Sequence, residues 1–328
     1  MTHISIQRLM GACALALASL LSACGGASST VDPLVPTRII AFGDGLSAVD
    51  VSGKGIYTIQ TGETDTTVAS RIALRYNIIL TTASAGVPLD PLKKGFSYAA
   101  GNAKVSDAAD QITAFLTDNN SAIGPKDLFI ITVGNRDIFE NATGAGGATA
   151  VATAANLLAA KIQALTNAGA KYVLVMQPLN MARTPSGASS GVASTMQALS
   201  YDTGTLCESF SCQLTTVLQR YYPPTSAHQP VLLADLMAYF NLLTGTTSTG
   251  SIYTYINYGV TNPDVEVCTT ALPNCTSTTI TSSTNPRTNA VYDYATSIFA
   301  DGLNLTPMAN RLLADYIYTN TMYRAGWR

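Results

Sequence analysis

The arrangement that most constrains this chain is a repeat of short aliphatic runs, each leading through a tight turn into a helical segment. Arg38-Ile39-Ile40-Ala41-Phe42 enters Gly43-Asp44-Gly45, and Asp127 to Val133 enters Gly134-Asn135. Lys171 to Met176 and Pro230 to Asp235 are two further runs of the same kind. Continuous β-branched and aliphatic runs of this length suit strands buried on both faces, as in a parallel sheet. Between them, Val68 to Tyr76, Ser106 to Thr117 (Ile112 and Phe115 inward) and Ala150 to Asn167, closed by Gly169, carry helical spacing. A further helix is expected between Ala193 and Leu218, interrupted by a cysteine loop, and a last one from Met308 to Thr319 with Leu312, Leu313 and Ile317 as its apolar stripe. Strand–helix alternation with right-handed crossovers implies an α/β fold: a three-layer, flavodoxin-like, doubly wound parallel sheet. Ligands gather at the carboxyl ends of the strands in such sheets, so the turns after Phe42 and Val133 are the places to look for a site.

The N-terminus carries an address. Met1 to Arg8 is short and polar, and Leu9 to Leu21 is an apolar run too short to span a bilayer, so it reads as a removable signal. Leu21-Ser22-Ala23-Cys24 then reads as a lipobox, with the mature chain starting at a lipidated Cys24 and anchored to a membrane. Ordinary secretion with cleavage near Ala27 is the alternative. Gly25 after the cysteine, by analogy with enteric bacteria, favours the outer membrane of the cell envelope. The implied organisation is a lipoprotein signal peptide over 1–23, a flexible tether over 24–37 and a single domain over 38–328.

Six cysteines fit an exported chain. Cys13 falls in the signal and Cys24 takes lipid, leaving Cys207 with Cys212 and Cys268 with Cys275 as two close pairs. Close pairs outside the cytoplasm read as loop-stapling disulfides, although spacing alone also permits pairing across the two loops. Neither pair is Cys-x-x-Cys and neither has a histidine nearby, so no metal is expected. The formal net charge is −2 with 12% charged residues, and no stripe of Lys and Arg stands out, which argues against a nucleic-acid partner. The glycines at 144, 146 and 147 do not form G-x-G-x-x-G, and no Walker lysine follows, so that segment reads as a loop and no cofactor is expected.

Three blocks together resemble the SGNH, or GDSL, hydrolases. Phe42-Gly43-Asp44-Gly45-Leu46-Ser47 is similar to that family's F-G-D-S-L-S. Gly134-Asn135-Arg136-Asp137-Ile138 is similar to its G-x-N-D-I, and Asp301-Gly302-Leu303-Asn304-Leu305-Thr306 to its D-G-x-H-P/L-T. Gly95 to Ala103 resembles the second block, Gly101 matching and Asn102 replacing a common second glycine. The resemblance implies the SGNH-hydrolase fold and an ester hydrolase or lipase ancestry. It also places the nucleophilic serine at Gly45, the oxyanion asparagine at Arg136, the orienting carboxylate at Asp301 and the base histidine at Asn304. Glycine cannot form an acyl-enzyme, and an amide cannot take up a proton near neutral pH. A mature chain starting at Cys24 has one histidine, His228, in a Pro-bearing loop away from these blocks.

The catalytic set is therefore vestigial at Gly45, Gly101, Arg136, Asp301 and Asn304, with Asp44, Ser47, Asn102 and Asn135 as candidate binding residues. Asn135 is one residue out of register and does not stand in for the missing amide. Ser47 reads as structural, since it lacks an activating base. A guanidinium placed at 136 needs a carboxylate, so Arg136 is expected to pair with Asp301 or Asp44 and plug the site. The expected protein is a membrane-anchored, non-catalytic binding or scaffold protein, a monomer, with an acyl or glycan ester as ligand. The rivals are an active ester hydrolase using a non-standard site and a structural envelope lipoprotein without a ligand.

Overall fold

The computed structural model describes residues 33–118, 122–202, 206–223, 229–245, 254–286 and 289–327. The signal, Cys24, most of the tether and His228 lie outside these residues. From Leu34 onward the chain packs as one compact unit.

In chain order the elements are β1 (Arg38–Gly43), α1 (Val68–Leu74), β2 (Thr81–Thr82), β3 (Gly95–Ser97), α2 (Val105–Asp118) and β4 (Asp127–Thr132). Helices α3 (Asn135–Asn141) and α4 (Gly147–Asn167) precede β5 (Tyr172–Met176), which is followed by α5 (Pro185–Ser189), α6 (Ala193–Ser200) and α7 (Phe210–Tyr221). Then come β6 (Val231–Ala234), α8 (Met237–Leu243), β7 (Asn262–Glu266), β8 (Ser297–Phe299) and α9 (Pro307–Ile317). Six strands form one parallel sheet in the order β2-β3-β1-β4-β5-β6. Helices α2, α4 and α7 pack together as one layer, and α1 packs on α9 as another. The result is a three-layer α/β fold of the flavodoxin-like kind.

The four runs expected as strands become β1, β4, β5 and β6, because every one of them buries aliphatic side chains on both faces. Ile39, Ile40, Phe42, Phe129, Ile131, Val173 and Val175 are all fully buried. The single expected helix between Ala193 and Leu218 is two helices, α6 and α7, divided at the Cys207–Cys212 loop. Helix α4 is long and apolar enough to cross a membrane by length and composition, but Val151, Ala155, Leu158, Ile162 and Leu165 are buried in the core. The polar, loop-rich stretch from Asn241 to Thr288 also holds β7, which pairs in parallel with β8 outside the main sheet.

Strand β1 lies between β3 and β4, and the chain winds away from it in both directions. The carboxyl end of β1 is thus the topological switch point, where neighbouring crossovers diverge and leave a crevice. Gly43 ends β1 with φ at +118°, and a β-carbon there would lie 1.9 Å from the Thr132 carbonyl oxygen. Only glycine lets the two strands close at this point. Asp44 is delivered to the rim with its N–H donated to Thr132 O at 2.7 Å.

Candidate functional site

Asp44 is buried at the floor of the crevice. Its Oδ1 accepts the Leu46 N–H at 3.1 Å and its Oδ2 accepts the Asn135 side-chain amide at 3.3 Å. Burial pushes its carboxyl up to about 6, against the opposing effect of hydrogen bonds from Leu46, Thr132 and Asn135. The Asn135 carbonyl oxygen accepts the Leu179 N–H at 2.8 Å, so this one amide ties the β1 turn to the loop after β5.

Asn135, and not Arg136, brings its amide to Asp44. Both belong to the first turn of α3, where successive side chains point about 100° apart. Arg136 turns along the helix instead. Its Nε donates to Glu140 Oε1 at 2.6 Å, its guanidinium lies 5.9 Å from the centre of the Phe139 ring, and Glu140 also takes Lys104 at 2.7 Å. The expected Arg136–Asp301 or Arg136–Asp44 pair is therefore corrected. Among the described residues the ion-pair partner of Arg136 is Glu140, four residues on, which keeps the guanidinium partly in water and avoids a desolvation cost of several kcal/mol. Asp137 accepts the Val105 N–H at 3.0 Å and joins α3 to the start of α2; burial pushes its carboxyl up to about 6.

Asp301 and Asn304 are joined by a compact set of hydrogen bonds. Asp301 Oδ1 accepts the Leu303 and Asn304 N–H groups at 2.9 and 2.7 Å. The Asn304 amide then donates to both Asp301 oxygens at 3.1 and 2.9 Å, which points its Oδ1 towards Gly45. A β-carbon on Gly45 would come within 3.2 Å of that oxygen.

The plug is Tyr57. A β-carbon at Gly45 would meet Tyr57 Cβ at 2.9 Å, and one at Gly101 would overlap the Tyr57 ring, 1.8 Å from Cζ. Two positions without side chains thus accept one aromatic side chain from the loop after β1. Sequence reasoning assigned that loop no role. The signal was the glycine at 45 together with Gly101, which leaves a hollow that some other side chain must fill.

What remains open beside Asp44 and Gly45 is a cavity of about 50 Å³, lined also by Asn102, Asn135, Phe139 and Asn304. That is room for one or two waters, whose share of liquid volume is about 30 Å³ each. Beyond Tyr57 lies a wider hollow of about 360 Å³, lined by Tyr57, Asn102, Ser186, Glu266, Asp301 and Asn304. Asn102 holds φ at +56° and lines both spaces. Ser47, a candidate binding residue, lines neither. It is fully buried, its Oγ 2.7 Å from Thr132 Oγ1 and its carbonyl accepting Ser97 Oγ at 2.7 Å, so it bolts the β1 turn to β4 and β3.

Cysteines 207 and 212 are bonded to each other, as are 268 and 275. Among the described residues, one group has the spacing of metal ligands: Asp202 with Cys207 and Cys212. Its sulfurs are spent on their disulfide, and Asp202 accepts the Glu208 and Ser209 N–H groups at 3.0 and 2.9 Å.

No protein-family model matches this chain, and no curated protein sequence does either. Solved structures are similar to it at the level of an α/β fold. One is protein YXIM of Bacillus subtilis, 14% identical, with a TM-score of 0.43; the alignment covers 90% of this chain and 58% of that one. This chain thus spans little more than half the length of that protein. A second crystal structure is 16% identical with a TM-score of 0.40, covering 89% of this chain and 99% of the other. Neither likeness bears on chemistry.

Proposed function

We propose that this chain is a non-hydrolytic relative of the SGNH hydrolases, acting as an envelope-anchored binding or scaffold protein. The observation that carries the reading is Tyr57 seated over Gly45 and Gly101, where a nucleophile and its substrate carbonyl would have to meet. Hydrolysis by the familiar route needs a nucleophile, a base and room for the acyl carbon. Gly45 supplies no nucleophile, Asn304 no base, and Tyr57 stands over both glycines.

Binding falls to the hollow beyond Tyr57. A phenol ring beside the carboxylates of Glu266 and Asp301 and the amides of Asn102 and Asn304 suits a polar, hydroxyl-rich glycan better than an acyl chain. Anchoring through Cys24 belongs to the same proposal, and two disulfides support an oxidising compartment outside the cytoplasm.

The test is p-nitrophenyl butyrate hydrolysis by the purified protein, run beside calorimetric titration with soluble oligosaccharides. Turnover at the buffer background, with oligosaccharide binding lost in Tyr57→Ala, supports the reading. Ester turnover that survives purification to homogeneity overturns it.

A further inference from the structure

In a parallel sheet every strand starts at the same edge, opposite the rim that carries the site. Four of the chain's seven lysines are at that edge. Lys93 and Lys94 immediately precede β3, Lys126 precedes β4 and Lys171 precedes β5. The register sets them side by side. Ile39 pairs with Gly95, Arg38 with Asp127 and Leu128 with Tyr172, while Thr37 donates its N–H to Lys126 O and Ile39 to Lys94 O. Strands about 4.8 Å apart make this a row about 15 Å wide.

All four lysines are exposed, and among the described residues none is in an ion pair. Arg38 in the same row is different, since it is held by buried Asp127. Among the described residues, two further carboxylates belong to segments that flank the row. Asp90 accepts the Leu92 N–H at 2.9 Å and Asp118 the Gly86 N–H at 2.7 Å. Four free cations outnumber them.

Apolar side chains stand out at the same edge. Leu92 is 92% exposed and directly precedes the lysine pair; Val35 is 64% exposed, two residues before Thr37. Ile79 is 51% exposed, and its carbonyl oxygen lies 2.2 Å from where a β-carbon on Gly95 would be, so it abuts the start of β3. Free lysines interspersed with protruding aliphatic side chains are the chemistry of a surface that meets anionic headgroups and dips into the layer beneath them.

We propose that this strand-start edge lies on an anionic lipid surface, so that the rim with Asp44 and Tyr57 faces away from it. The chain's own connectivity favours lipid over nucleic acid as the occupant. Leu34 leads into β1 at this edge, and the ten residue steps from Cys24 to it span at most about 35 Å. A lipid on Cys24 keeps the domain within that reach of a bilayer. That last step rests on the lipoprotein reading, whereas the lysine row stands without it.

The experiment uses the unlipidated body from Leu34 onward, which contains the whole sheet and its core. It is sedimented with vesicles of 30% phosphatidylglycerol in phosphatidylcholine, and with phosphatidylcholine alone, at 50 and 300 mM salt. The expected result is binding to the anionic vesicles only, weakened at high salt because the Debye length shortens. Neutralising Lys93, Lys94, Lys126 and Lys171 to Gln weakens binding about fivefold per lysine, whereas Lys161→Gln, on α4, leaves it unchanged. Far-ultraviolet circular dichroism checks that the quadruple variant is folded. Three outcomes each overturn the proposal: no preference for anionic vesicles, equal binding by the quadruple variant, or tighter binding to duplex DNA than to the vesicles. Because the body lacks Cys24, a failure here leaves the anchoring proposal standing, and cleavage or secretion data on Cys24 leave this one standing.

Discussion

A serine at position 45 needs space that Tyr57 occupies. The Cβ of Tyr57 is fixed to its backbone, and 2.9 Å is closer than such carbons approach, so rotation of the ring does not relieve the clash. Installing the serine and histidine of the resembled blocks with Gly45→Ser and Asn304→His is therefore expected to give no p-nitrophenyl butyrate turnover and to cost about 1–3 kcal/mol from overpacking. Adding Tyr57→Gly is expected to recover stability and open the cleft, with turnover measurable above background. Arg136→Asn accompanies Tyr57→Gly in that experiment, because the Asn135 amide is already engaged by Asp44 and the Leu179 N–H. If the double variant is as stable as the natural protein by thermal melt, Tyr57 is not the plug. Asp44 makes a separate prediction. Its carboxyl is raised to about 6 in the folded state, above the unfolded value of 3.8, so the folded state binds the proton more tightly. Stability then falls as pH rises from about 4 through 6 and stays lower above it, by about 3 kcal/mol at full effect. Asp44→Asn is expected to flatten part of the decline in melting temperature between pH 5 and 7.5, with Asp137, raised by the same cause, carrying the rest. Identical pH slopes in variant and natural protein would remove Asp44 from that account.

Among the elements, β1 depends on its last residue. Gly43→Ala puts a β-carbon 1.9 Å from Thr132 O at a positive φ, which must part β1 from β4 or move the Asp44 turn. The expected cost is at least about 2 kcal/mol in urea unfolding. Gly146→Ala, also at positive φ but with nothing within 4 Å, should cost only the backbone strain of about 1 kcal/mol. Equal costs at the two sites would mean that β1 and β4 tolerate separation there. The long strands were legible because β-branched runs such as Ile130 and Ile131 have no other way to satisfy both burial and backbone pairing. The short ones were not. Strand β2 is two residues and β3 three, with Gly95 required by the close approach of Ile79, so neither displays a period. Strand β7 contains Pro263, which speaks against a strand in sequence and is tolerated here because, among the described residues, β7 pairs only with β8.

At the scale of the whole molecule, the candidate site and the lysine edge share one property: each is assembled from segments far apart in sequence. Gly45, Asp301 and Asn304 could be read as positions because glycines and aspartates matching the resembled blocks lie in or beside them, but Tyr57 belongs to no motif, and its role appears only where Gly45 and Gly101 meet. The lysines, spread from 93 to 171, likewise become a row only when parallel strands align their starts. The same assembly links Tyr57 to the outer lobe. Ile59, two residues after it, packs with Val267, Cys275, Tyr292 and Ala300 in a small cluster separate from the main core. Gln60 donates its N–H to Cys275 O at 2.8 Å, and Cys268 donates to Ala300 O at 2.8 Å. The Cys268–Cys275 disulfide thus staples the lobe that holds the plug, while β1, β4 and β5 depend on the main core alone. Closing so short a loop is worth about 2 kcal/mol, hence reduction should speed exchange through opening of this lobe by about thirtyfold. Amide hydrogen exchange with and without dithiothreitol checks it: peptides covering 57–60 and 262–300 should accelerate together, and those of β1, β4 and β5 should not. Uniform acceleration would mean that the lobe and sheet open as one unit, and the plug would then be as permanent as the fold itself.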